Sequence, residues 1–182
     1  PAVDTPTAFR RTQTPEVTAD LLFKSNGGGE PRGAGYWLVW NTCAEGNQAA
    51  MAKINGGRSA GWILLDDLLV DPGILVGMDE IKTCQQAVDI LNEKLPEDST
   101  ESNLPFHHLA AALLTAQLNI AVPAEYCPAV DQAIQAGQLL LISVNYQADG
   151  NPLTPTDPEK DRKLAEFLNS QLNQYNAGTL CR

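Results

Sequence analysis

The apolar pattern is densest between Phe106 and Val122, FHHLAAALLTAQLNIAV, where only Thr115, Gln117 and Asn119 are polar after the two histidines. A helix with apolar residues on every side leaves no face for water, so this stretch predicts a central, buried helix with Leu113 and Leu118 fully enclosed. Before it, Ile81, Cys84, Val88 and Leu91 recur at three- and four-residue steps and predict an amphipathic helix over 79–94 with the cysteine on its inner face. After it, Cys127-Pro128 opens a helix reaching Val144, with proline at the first position, where its missing N–H costs nothing. Leu164, Phe167, Leu168, Leu172 and Tyr175 predict the inner face of a last helix, begun by the capping-box form Thr156-Asp157-Pro158-Glu159 and stopped by Gly178.

The remaining patterns are shorter. Gly35 to Trp40 brings three large aromatics to the start of the globular part, and a short helix over 45–54 ends at Gly56-Gly57. The apolar runs Trp62 to Val70 and Ile74 to Val76, parted by Asp71-Pro72-Gly73, predict a β-hairpin, with a short helix from Ile63 to Leu69 as the competing reading. Pro96 to Asn103 is polar, acidic and aperiodic, hence a surface loop.

Residues 1–34 differ from all that follows: they are rich in proline and threonine and broken by Gly27-Gly28-Gly29. Within them Val17, Ala19, Leu21 and Phe23 alternate with Thr18, Asp20 and Leu22, the period of a half-buried strand that needs a neighbour. Such a segment cannot offset its own ordering entropy, so it is expected to be an extended assembly arm docking on another subunit, with residues 35–182 as a single helical domain. Head-to-tail strand addition without a closing rotation gives an open filament.

Composition narrows the function classes. The 182 residues suit one domain with a real core plus an arm. A net charge of −10 repels a phosphate backbone and argues against nucleic acid as a partner, and no apolar run is long enough for a membrane span. Cys43, Cys84, Cys127 and Cys181 contain no CxxC pair and predict two disulfides rather than zinc or redox chemistry. The start at Pro1 and the even cysteine set point to an exported, extracellular or cell-surface protein. No Asn-x-Ser/Thr sequon occurs, while Thr5, Thr7, Thr12 and Thr14 beside prolines are candidates for O-linked sugar.

The last two helices, each about 27 Å long, pack antiparallel across a short connection, which brings Cys127 beside Cys181 and leaves Cys43 with Cys84. The other two pairings stay open from sequence alone. The expected fold is mainly α, a disulfide-linked bundle of about five helices with one small hairpin and an extended N-terminal arm.

Candidate chemistry is thin. His107-His108 has no ligand partner at helical spacing, Asp66, Asp67 and Asp71 lack the order of a calcium loop, and Gly27-Gly28-Gly29 lacks the Lys-Ser/Thr of a phosphate cradle. A Cys–His nucleophile competes with disulfides for the same cysteines. Trp37, Trp40 and Trp62 are the best ligand platform, for stacking on sugar, against a simpler role in the core.

Gly35-Tyr36-Trp37, Leu114 to Ala121 (LTAQLNIA), Cys127 with the alanines after it, and Leu168 to Gly178 (LNSQLNQYNAG) together resemble, in their order, the GYWKNH-type domain of secreted and surface proteins, mainly bacterial. Leu38-Val39-Trp40 stands where that family has Lys-Asn-His, so a histidine-based role is not implied here. The resemblance covers about residues 35–181 and implies an extracellular domain without an established enzymatic activity. The expected function is a non-enzymatic, self-associating structural subunit needing no cofactor, with a carbohydrate-binding or adhesive module as the alternative class and a hydrolase with an unrecognised site as a weaker third.

Overall fold

Thr115, Gln117 and Asn119, the polar residues of the apolar run, explain how the central helix can be buried. In a computed structural model, which describes residues 30–43, 48–54, 63–69, 73–95, 100–122, 124–148 and 153–181, helix α4 (Leu104–Ala121) buries twelve of its residues, among them Leu113 and Leu118 with no exposed surface. Thr115 donates back to Ala111 O at 2.8 Å, Gln117 donates to Leu75 O on the hairpin, and Asn119 bonds to the backbone of Arg32. Each polar group is satisfied, so an all-round apolar helix can carry it at little cost.

The chain is mainly helical, with one small antiparallel hairpin and two disulfides. Around α4 pack α3 (Cys84–Leu91), α5 (Pro128–Ser143) and α6 (Pro158–Asn176), while α1 (Ala34–Val39) lies on α3 and α4. Helix α2 (Ala49–Ile54) forms a separate small cluster, in which Ala49 and Ala52 pack with Leu64 and Trp40. The bridges join Cys43 to Cys84 and Cys127 to Cys181. Val17, Ala19, Leu21 and Phe23, like Gly27-Gly28-Gly29, Trp62 and Asp71, lie outside the described residues.

Four local expectations are corrected. The first run of the expected hairpin is not a strand: Leu65–Leu68 forms a 3-10 turn, the competing helical reading. Leu64, Leu65, Leu68 and Leu69 follow helical spacing rather than alternation, and Asp67 secures the turn by accepting from Leu64 N at 3.1 Å. The hairpin is instead β1 (Ile74–Val76) against β2 (Asp79–Ile81), so α3 starts later than expected, at Cys84, behind Thr83, whose hydroxyl accepts from Gln86 N. Its two-residue turn begins at Gly77, φ +62°, the first-position glycine of a II′ turn.

Helix α6 is capped one residue later than the capping box implies. Asp157 accepts from Lys160 N at 3.2 Å, because Pro158 takes the first helical position and places the cap directly before itself. Its inner stripe is Ala165, Leu168, Leu172, Tyr175 and Asn176, whereas Leu164 and Phe167 are exposed. Small Ala165 sets the inner face in place of the larger neighbours on either side. Gly178, at φ +71°, stops the helix as expected.

Candidate functional site

The hairpin is held against the bundle by side-chain amides. Gln138 of α5 donates to Gly77 O at 2.7 Å and accepts from Gly77 N at 3.2 Å, while Met78 N donates to Tyr146 O. A Cβ on Gly77 would come within 2.7 Å of that same Tyr146 oxygen, so the turn must be glycine for space as well as for φ. Asp79 accepts from Ala148 N and closes the far side.

This fixes which edge of the hairpin faces outward. Val76 pairs with Asp79 across the turn and Leu75 with Glu80, so Leu75 occupies a non-hydrogen-bonded pair whose N–H and C=O point away from β2. The carbonyl meets Gln117 Nε2 at 2.8 Å. Beneath this edge lies an apolar groove of about 550 Å³, walled by Ile74 and Leu75, by Ile120 at the end of α4, and by Tyr126 and Ile134. Leu75 and Tyr126 are each about half exposed and Ile120 more than a third, at 53%, 52% and 37%. Three large apolar side chains around one groove on an acidic body are a feature of the described surface that asks for a partner.

The sequence candidates for chemistry are placed elsewhere. All four cysteines are in bridges. Trp37 is fully buried, and Trp40 is half-buried, stacked on Tyr36 at 5.8 Å and 20°, so these two make no exposed platform for sugar. Asp66 accepts from both the backbone N–H and the hydroxyl of Thr42. His108 sits 2.6 Å from Glu93, and no cluster among the described residues has the groups to hold a metal.

His107 is buried, edge-on to Tyr146 at 5.4 Å. Burial holds its pKa below the ordinary value, with His108 adding to the effect and Glu93 opposing it. The unfolded chain therefore takes up a proton near pH 6.5 that the folded chain resists, and stability falls as the pH drops through that point toward the folded pKa. Urea midpoints between about pH 7.5 and pH 5.5 should show this loss, and His107→Phe should flatten the slope.

A polar core went unread in the sequence. Asn119 accepts from Arg32 N at 2.9 Å, donates to Arg32 O at 2.8 Å and to Asn176 Oδ1 at 3.1 Å, and Asn176 in turn donates to Ala112 O at 3.1 Å. Both asparagines are buried, and the Arg32 guanidinium lies 4.0 Å over the Tyr36 ring. The network ties the entry of the chain to α4 and α6, so the domain already begins before residue 35. Its signal was present: a lone Asn inside an apolar helix and another at the end of α6 are the polar residues of the LNIA and YNAG motifs.

No family model matches the chain, and no curated protein or solved structure matches it significantly.

Proposed function

We propose that the chain is a non-enzymatic structural subunit of an extracellular assembly, a filament or surface layer, which self-associates through its N-terminal residues. The observation that carries this reading is the apolar groove beside the outward strand edge, because a site of that kind binds polypeptide by shape and backbone pairing rather than by chemistry. The side chains best suited to catalysis support it from the other side, since the cysteines are spent in bridges, His107 is buried and Asp66 is engaged with Thr42. Two disulfides fit an oxidising compartment. The resemblance to the GYWKNH-type domain points the same way.

The test is the mass of the full chain against concentration under non-reducing conditions, by sedimentation velocity. An open series of oligomers growing from the 19.6 kDa chain is the expected result. A single species of that mass at every concentration would remove the reading.

A further inference from the structure

If the chain assembles, something on its body must receive the arm, and the described residues include a place suited to an extended segment. We propose that the outer edge of β1 at Leu75, with the groove between β1, Ile120 and Tyr126, is the acceptor for Val17–Phe23 of a second copy. The inference rests on the reading of the chain as an assembling subunit and names the partner of its groove.

Shape is the first argument. Leu75 presents its backbone outward, so an added strand can pair with it, and its carbonyl is at present held only by a partly exposed glutamine side chain, Gln117, which a strand can displace. An added strand places alternate residues on the groove side, and the segment supplies Val17, Ala19, Leu21 and Phe23 at that period. The groove walls are mainly aliphatic and aromatic, with Gln117 and Asp131 as their polar members, and the apolar part is the surface that Leu21 and Phe23 bury best.

Charge is the second argument, and it weighs against the simpler alternative of two bodies meeting face to face. Residues 1–29 carry three basic groups, Arg10, Arg11 and Lys24, against three acidic ones, Asp4, Glu16 and Asp20, so the whole net charge of −10 belongs to residues 30–182. Bodies of like charge repel at moderate salt, whereas the neutral segment approaches without that penalty.

The chain path is the third. Arg32 is clipped to Asn119, and the next two residues of α4, Ile120 and Ala121, line the groove. The root of each arm thus lies beside an acceptor groove. An arm that enters the groove of the next copy leaves its own groove open for another, which is the geometry of an open chain of subunits. An arm that fills its own groove gives a closed monomer instead, and the two outcomes differ in mass.

The experiment uses three full-length chains. The arm variant carries Leu21→Asp and Phe23→Asp; the groove variant carries Leu75→Arg and Ile120→Arg. Both groove positions are substantially exposed, and the added positive charge reduces repulsion between acidic bodies, so a loss of assembly there does not come from body–body repulsion. Thermal unfolding checks that each variant folds; if Ile120→Arg does not, Leu75→Arg alone carries the test. The expected result is that each variant alone has the mass of one chain, and that a 1:1 mixture forms a dimer of twice 19.6 kDa and stops, since only one intact arm and one intact groove meet. A groove variant that assembles like the wild type overturns the acceptor while leaving the assembling subunit standing. A mixture that stays monomeric overturns the exchange between copies. A wild type that never assembles removes both.

Discussion

Asn119→Ala should cost about 3 kcal/mol of folding stability, read as a shift in the urea midpoint with little change in slope. The side chain makes three hydrogen bonds inside the protein, and its removal orphans Arg32 N, Arg32 O and Asn176 Oδ1 at once. Each buried group left without a partner costs about 1 to 3 kcal/mol, and relaxation of Arg32 toward water returns part of the total. The same bond pair sets where the domain starts. At a concentration too low for assembly, a chain beginning at Glu30 keeps the clip and should match the full chain in stability, while one beginning at Gly35 loses Arg32 and should fall by an amount close to that of Asn119→Ala. Asn119→Ala in the Gly35 chain should then add much less than it does in the full chain, because the two changes delete one interaction. Full additivity would show that Arg32 and Asn119 do not depend on each other.

Much of this fold was legible because burial leaves a period in the sequence. The all-apolar run of α4, the Cys-Pro start of α5 and the glycine end of α6 each state a local rule that nothing in the tertiary structure overrides. The hairpin was misplaced by one strand because Asp71-Pro72-Gly73 is a stronger local turn signal than Gly77-Met78, whose turn depends on Gln138 and Tyr146 from distant parts of the chain. The inner face of α6 was misread for a related reason: Phe167 is the more apolar residue, but it is small Ala165 that lies buried where α6 packs on the bundle.

The groove was not legible at all. Leu75, Ile120, Tyr126 and Ile134 come from a strand, a helix end, a connection and another helix. Periodicity tells which side of one element faces inward; it does not say which outward residues of separate elements become neighbours. The arm's alternating residues pointed to a partner surface without showing where such a surface lies, and the two halves of the hypothesis met only once the fold had placed the edge of β1 beside the end of α4.

Replacing Cys127 and Cys181 together by serine should lower stability by about 4 kcal/mol, chiefly by releasing the unfolded chain. The bridge joins the residue that precedes α5 to the segment just past α6, with a sequence separation of 54. Helices α5 and α6 still pack on each other and on α4 without it, so the variant should fold and unfold in one transition at a lower urea concentration. The slope should also rise, since an unfolded chain freed of a long loop exposes more surface. The matching pair, Cys43→Ser with Cys84→Ser, closes a separation of 41, and the logarithmic dependence on loop length makes its entropic worth smaller by only about 0.2 kcal/mol. If the bridges act on the unfolded state, the two double variants should therefore have nearly equal midpoints. A much larger loss for Cys43 and Cys84 would mean that this bridge also holds folded structure in place, namely the α2 cluster with Leu64 and Trp40, whose apolar core is too small to hold itself on the bundle. Peptide mapping without reductant checks the premise, because recovery of Cys84 linked to Cys127 would contradict the antiparallel packing that brings Cys127 and Cys181 together.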